Sequence, residues 1–86
     1  METMEKAIYK NGRLQKQRQA AGFSQSQLAK AAGIGVRMYQ NYEQGVRDIS
    51  KAQLSTLLRI CLALTCKIED VVTDPETAEL MERYKA

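Results

Sequence analysis

Two glycines divide the middle of this chain into short helical segments and restrict what it can fold into. Gly33 follows Gln25–Ala32, a run of mostly good helix formers, and Gly45 follows a second predicted helix, Val36–Gln44. Glycine at such points adopts the positive φ that ends a helix. Ser24 opens the first run as the start of a Ser-x-x-Gln capping box. The sequence therefore predicts two short helices joined by a very tight turn.

The rest of the chain is also helical in pattern, because no segment shows sustained alternation rich in β-branched residues. A second Ser-x-x-Gln box starts at Ser50, and Asp74-Pro75 is a further helix-start signal. The remaining helices are predicted from Gly12 to Ala21 and over residues 50–64, 68–72 and 76–84. The 86 residues of the chain are enough for only one hydrophobic core. The predicted fold is a compact all-α bundle, with a domain over residues 1–74 and a helical tail over 75–86.

Composition argues against an enzyme or a metalloprotein. The chain contains no histidine, the commonest general base and metal ligand. Cys61 and Cys66 match no zinc-binding pattern, and Cys61 falls on the core face of its predicted helix. We interpret both cysteines as reduced, small apolar side chains. No catalytic residue, metal ligand or cofactor is predicted.

Hydropathy predicts neither a membrane helix nor a secretory signal. No apolar stretch approaches the ~20 residues that a membrane helix needs. The first ten residues carry Glu2, Glu5, Lys6 and Lys10 and lack an apolar stretch. A cytoplasmic protein without membrane contact is therefore expected.

The net charge of +3 conceals a strong asymmetry along the chain. Residues 6–66 contain ten Lys or Arg and two acidic residues, a net charge of +8. Residues 67–86 contain three basic and six acidic residues, a net charge of −3, and residues 1–5 add −2. A basic body between acidic ends favours a polyanion as partner, with nucleic acid first. The alternative is that these side chains only solvate helix faces.

The segment from Gln25 to Gln44 reads QSQLAKAAGIGVRMYQNYEQ, and Ala29 is small enough to let the second helix cross close by. The chain resembles the lambda-repressor-like (Xre/Cro) helix-turn-helix family in AAGFSQSQLAKAAGI, MYQNYEQGVRDIS and LLRICLALTCKIEDVV, over about residues 11–72. The resemblance implies a five-helix domain, here followed by an extra C-terminal helix, with its motif at residues 25–44. It further implies specific binding of double-stranded DNA, commonly as a two-fold dimer, by a repressor-like transcriptional regulator.

In that family the second helix of the motif enters the major groove. The outward face of residues 36–44 then supplies the base contacts, which are predicted at Val36, Arg37, Gln40, Asn41 and Gln44. Arg37 suits the guanine edge, Gln40 or Asn41 suits adenine, and Val36 suits a thymine methyl group.

The resemblance also implies phosphate contacts at the start of the first motif helix, where backbone amides and a glutamine hold the anion. Phosphate contacts are predicted at Ser24, Gln25, Arg47 and Lys51. Ser24 is also expected to cap its helix. Three further basic residues are more simply interpreted as solvated charges: Arg13, Lys16 and Lys30.

Two residues of the second motif helix are interpreted as structural. Glu43 matches a family glutamate that pairs with an arginine of the first helix, here Arg18, which implies a partly buried ion pair and not an acid facing DNA. Tyr39 stands where the family usually has Ile or Val, and its hydroxyl needs a partner or water. The inward face is expected to hold Tyr39 and Tyr42, with Met38 at its edge.

The tail carries a modest apolar stripe with three prominent members, Leu80, Met81 and Tyr84. This stripe either packs back on the domain or pairs with the tail of a second copy. Because one short recognition helix reads few base pairs, a homodimer on DNA is predicted, with residues 68–72 and the tail as its interface.

Two alternative functions remain open. The chain could be an antitoxin that binds its operator and, through the tail, a toxin, or a helix-turn-helix scaffold that binds protein only.

Overall fold

The computed structural model describes residues 9–86, which form five α-helices and no β-strand. The helices are α1 (Gly12–Ala20), α2 (Gln25–Ala32), α3 (Val36–Gln44), α4 (Leu54–Leu64) and α5 (Pro75–Lys85). Single turns of 3₁₀ helix, Ile49–Lys51 and Ile68–Asp70, precede and follow α4. The predicted all-α fold is confirmed. The first eight residues of the predicted domain 1–74 lie outside the described residues.

The ends of the two motif helices follow from local capping, as predicted. Ser24 Oγ accepts a hydrogen bond from the Gln27 backbone N–H over 3.1 Å, and Gln27 Oε1 accepts one from the Ser24 N–H over 2.8 Å. Gly33 and Gly45 end α2 and α3 in the left-handed conformation, with φ of 73° and 89°. Both ends of α2 and the C-terminal end of α3 therefore lie at the residues that the sequence indicates.

The predicted start of the fourth helix at Ser50 is wrong. Asp48 Oδ1 accepts the Ser50 N–H over 2.9 Å and starts a 3₁₀ turn, so that Ile49 is buried at 1% exposure. The hydroxyl of Ser50 is buried and has no hydrogen-bond partner within residues 9–86. Helix α4 begins only at Leu54, without a side-chain cap. Burial of Ile49 and capture of the backbone by Asp48 thus replace the expected Ser-x-x-Gln box.

The second predicted helix that the structure changes is the one over residues 68–72. It consists of a single 3₁₀ turn, Ile68–Asp70, followed by the buried Val71 and Val72. The tail helix α5 is therefore the fifth α-helix and not an addition to five. Ala78 and Met81 of α5 are half-buried against the domain, and Lys85 Nζ reaches Glu69 Oε2 at 2.8 Å.

One hydrophobic core contains residues from all four helices α1, α2, α3 and α4. Its buried members are Leu14, Leu28, Ala29, Ala32, Tyr39, Tyr42, Ile49, Leu57, Ile60, Cys61, Leu64, Val71 and Val72. Helix α4 packs its Leu57, Ile60, Cys61 and Leu64 into this core, mainly against α2. The core holds the motif helices in fixed relative positions, because close-packed side chains leave little room for movement.

The start of α1 is tied to the far end of the domain by Asn11, which is only 2% exposed. Its Oδ1 accepts the backbone N–H groups of Arg13 and Leu14 at 2.9 and 3.2 Å, and its Nδ2 donates to the carbonyl of Val71. Asparagine is a common helix cap, but the contact with Val71 is sixty positions away along the chain and has no local signal.

Candidate nucleic-acid interface

Helices α2 and α3 form a helix-turn-helix whose turn is Gly33–Ile34–Gly35. The Ile34 backbone N–H donates to the Ala29 carbonyl over 3.0 Å, which closes the end of α2. The side chain of Ala29 is 2% exposed in the core. Since α3 buries Tyr39, Tyr42 and Glu43, its opposite side faces solvent.

That opposite side, the outer face of α3, holds the five residues predicted to contact bases. Val36, Arg37 and Gln44 are exposed, and Gln40 and Asn41 are half-buried. Arg37 makes no hydrogen bond or ion pair within residues 9–86. The outer face contains no acidic residue, so nothing on it repels a phosphate backbone.

Met38 departs from the expectation that it lies at the edge of the inward face. Its side chain is 41% exposed. Tyr39 and Tyr42 fill the space beneath α3, at 0% and 7% exposure, so Met38 is left on the flank of the helix. It adds apolar surface near the start of the recognition helix.

The acid of α3, Glu43, points inward and is 5% exposed. Arg18 pairs with both of its oxygens, with Nε 2.7 Å from Oε2 and Nη2 2.9 Å from Oε1. Tyr39 donates its hydroxyl to Oε2 over 2.5 Å, and Gln25 Nε2 donates to Oε1 over 2.8 Å. Each carboxylate oxygen therefore accepts two hydrogen bonds. The ion pair implied by the family resemblance is present, and the Tyr39 hydroxyl has the partner that it needs.

These contacts determine the charge of the cluster. Burial alone would raise the pKa of Glu43, but hydrogen bonds from Arg18, Tyr39 and Gln25 outweigh it and lower the pKa below its usual value. The hydrogen bond to Glu43 raises the pKa of Arg18. Burial, with the hydrogen bond to Glu43, raises the pKa of the Tyr39 hydroxyl. The cluster thus holds a carboxylate and a guanidinium that neutralise one another next to the recognition helix.

Gln25 is committed to the protein at both ends of its side-chain amide. Besides its bond to Glu43, its Oε1 accepts from Gln40 Nε2 over 3.1 Å. The predicted phosphate contact at Gln25 is thereby restricted to the one remaining amide hydrogen and the backbone N–H. Sequence reasoning misses both hydrogen bonds, because they depend on how α2 and α3 face one another.

The other predicted phosphate contacts lie at the surface on either side of α3. Ser24 is exposed at the start of α2, with its hydroxyl engaged in the cap. Arg47 and Lys51 are exposed after the end of α3. Among the basic residues interpreted as solvated, Lys16 and Lys30 are exposed, while Arg13 Nη1 donates to the Glu69 carbonyl over 3.2 Å.

The two cysteines lie away from this surface. Cys61 is 4% exposed, and burial raises its pKa to about 12. Cys66 is half-buried, and burial also raises its pKa. Because the thiolate is the reactive form, these raised pKa values argue against a reactive thiol at either position. Within residues 9–86, no helix is long and apolar enough to cross a membrane.

Comparisons with known proteins agree with this architecture. A family model described as helix-turn-helix matches residues 14–71. The solved structure of the restriction-modification controller protein C.AhdI from Aeromonas hydrophila is similar at 29% identity and a TM-score of 0.60. This similarity covers 67% of this chain and 83% of that chain. No curated protein matches.

The family match covers most of the span in which the sequence resembles lambda-repressor-like proteins, and both findings support DNA-binding transcriptional regulation. The chain belongs to the helix-turn-helix family of lambda-repressor-like (Xre) proteins.

Proposed function

We propose that this protein is a repressor-like transcriptional regulator that binds a specific duplex DNA site with α3 in the major groove. The observation that carries the proposal is the division of α3 into two faces. Its acid is buried and neutralised by Arg18, while its outer face presents Arg37 and three amide side chains to solvent. Such a helix fits the major groove, where base edges offer hydrogen-bond donors and acceptors.

Individual contacts follow from side-chain chemistry. Arg37 pairs with guanine O6 and N7, while Gln40, Asn41 and Gln44 reach amino groups and ring nitrogens of neighbouring bases. Val36, 42% exposed, packs against a thymine methyl group. Phosphates are held at the start of α2, by Ser24 and Gln25, and after α3 by Arg47 and Lys51. These contacts position the protein, and the outer face of α3 supplies specificity.

A homodimer is the second part of the proposal, and α4 supports it. Leu54, Leu58 and Leu62 recur every four residues on the side of α4 opposite the core, at 64%, 41% and 78% exposure. We name these three residues the leucine ridge. It extends over about 12 Å of helix, and no element within residues 9–86 covers it. Two copies of such a ridge pack against each other across a two-fold axis, which is the symmetry of a palindromic operator.

The sequence predicts a different interface, formed by residues 68–72 and the tail. Val71 and Val72 are buried in the core, but Leu80 and Tyr84 of the tail are 51% and 90% exposed. A matched pair of variants separates the two surfaces. Leu58→Lys should convert the dimer to a monomer in sedimentation equilibrium, and Leu80→Lys should leave it dimeric. The opposite result would move the interface to the tail, and a monomeric wild type on DNA would refute the dimer.

The test of DNA recognition is selection from a randomised duplex library at ~0.1 M salt, because salt sets the affinity scale. We expect an enriched palindrome whose half-sites are ~34 Å apart. If no sequence is retained above a salt-screened background, the proposal fails and a scaffold that binds protein only becomes the better explanation. Enrichment of a site combined with tight binding of a toxin would favour the antitoxin alternative.

A further inference from the structure

A chain of side-chain hydrogen bonds links the buried carboxylate of Glu43 to the outer face of α3. Gln25 Nε2 donates to Glu43 Oε1 over 2.8 Å, and Gln40 Nε2 donates to Gln25 Oε1 over 3.1 Å. Glu43 is buried, and both glutamines are half-buried. The chain therefore runs from a group that DNA cannot reach to one that is predicted to read a base.

The carboxylate determines the direction of every bond in this chain. An ionised carboxylate accepts hydrogen bonds and donates none, and Arg18 keeps Glu43 paired with a positive charge. Gln25 must therefore turn its amide nitrogen toward Glu43, because a flipped amide would place two acceptor oxygens together. The Oε1 of Gln25 then faces Gln40, and Gln40 must donate to it from its own amide nitrogen.

We propose that Gln25 is a positioning residue that holds the Gln40 amide in one orientation, with Oε1 turned away from Gln25 and available to a base. This inference rests on the proposed function and specifies how the same surface chooses a base. In the observed orientation Gln40 offers DNA an acceptor and one remaining N–H. The flipped amide would offer two N–H groups.

The two orientations suit different bases. In the major groove adenine N6 and cytosine N4 are donors, whereas guanine O6 and thymine O4 are acceptors. With Oε1 facing the groove, Gln40 selects adenine or cytosine. Adenine is the better match, because its N7 accepts the remaining N–H of Gln40.

Selection from a randomised duplex library tests this with four proteins: the wild type, Gln40→Met, Gln25→Met and the double variant. Gln40→Met identifies the base pair that Gln40 reads, as the pair at which preference disappears. In the wild type this pair should be A·T in preference to G·C by about tenfold, within the range of a good side-chain–base contact. Gln25→Met should reduce that preference to about threefold or less, and the double variant should match Gln40→Met.

The variants are chosen so that the fold survives. Gln25→Met removes both amide bonds but leaves the two bonds between Arg18 and Glu43 and the bond from Tyr39. Gln19→Met is the matched control, because Gln19 is exposed on α1 and its side chain makes no hydrogen bond within residues 9–86. Circular dichroism before selection should show equal helix content for all variants.

Several results would overturn the inference. They are a wild-type preference for G·C at that pair, as the flipped amide would give, a Gln40→Met variant that changes no base pair, and a Gln25→Met variant that keeps the full preference. A uniform loss of affinity in Gln25→Met, without a change in preference, would show a phosphate contact or a structural role instead. If the wild type itself selects no site, the proposed function has failed, and the inference falls with it.

Discussion

Replacing Arg18 with methionine tests the buried cluster beneath the recognition helix. Glu43 is 5% exposed and Arg18 is 12% exposed, so Arg18→Met leaves a carboxylate without its counter-charge in the interior. Breaking a buried pair in this way costs ~3–5 kcal/mol. Because Gln25 and Tyr39 still donate to Glu43, we expect the lower end, about 3 kcal/mol. At ~4–8 °C per kcal/mol, Tm should fall by roughly 12–24 °C.

The dependence on pH separates this explanation from a simple loss of packing. The wild-type pKa of Glu43 is lowered, so its contribution is present above the unfolded value of ~4.3 and is lost as the pH falls through the folded pKa. In Arg18→Met we expect burial to outweigh the two remaining hydrogen bonds and to raise that pKa above the unfolded value. Lowering the pH then protonates the buried Glu43 carboxylate of the variant. The difference in unfolding free energy between the two proteins should therefore shrink from about pH 7 to about pH 4.

Urea denaturation followed by circular dichroism, repeated across this pH range, measures both effects. Arg83→Met is the control, because Arg83 is exposed on α5 and makes no ion pair within residues 9–86. A loss below ~1 kcal/mol would place the pair among weak surface contacts and refute the reasoning. A larger loss that stays constant with pH would show that packing, and not charge, is what Arg18 supplies.

Three further substitutions test how the motif is held in place, each by the free energy of unfolding. Gly45→Ala should destabilise the protein strongly, because φ is 89° and a Cβ would lie 2.6 Å from Lys10 Cα. Gly12→Ala is the control and should be tolerated, because a Cβ there meets no atom within 4 Å. Equal effects of the two substitutions would contradict the close approach of Lys10 to Gly45. Ser24→Ala should cost about 1 kcal/mol through loss of the cap on α2, and no change would exclude it. Asn11→Ala removes a cap and leaves a buried carbonyl without its donor, so it should cost more than Ser24→Ala, and a smaller loss would refute this ranking.

The helix-turn-helix could be predicted from the sequence because its signals are local. Ser24, Gly33 and Gly45 each fix a helix end through their own backbone or side chain. The start of α4 could not be predicted in this way. Its capping signal at Ser50 competes with Asp48, and burial of Ile49 decides between them.

The face of α4 shows a different limit of sequence reasoning. Leucines at 54, 57, 58, 62 and 64 surround the helix, so periodicity alone does not identify which of them are buried. The structure buries Ile60 together with Leu57 and Leu64 and exposes the leucine ridge. Which apolar side chains of α4 are buried is determined by the packing of α2 against α4.

The candidate site was predictable residue by residue but not in its connections. The outer face of α3 follows from helical spacing once the motif is recognised. The hydrogen bonds of Gln25 to Glu43 and Gln40 do not, because they depend on side-chain orientations at the junction of α2 and α3. The hydroxyl of Tyr39 likewise finds its partner one helical turn away, on Glu43.

The central claim is that the outer face of α3 reads DNA sequence, and a ratio of two affinities tests it most directly. The Kd for the selected duplex and for a scrambled duplex of equal length should be measured by fluorescence anisotropy at ~0.1 M salt, for the wild type, Arg37→Ala and Arg83→Ala. We predict that the wild type prefers the selected duplex by at least ~1,000-fold. This preference should fall in Arg37→Ala by a factor between about 5 and about 150, and it should be unchanged in Arg83→Ala. Equal ratios in all three proteins would contradict the claim that this face reads bases.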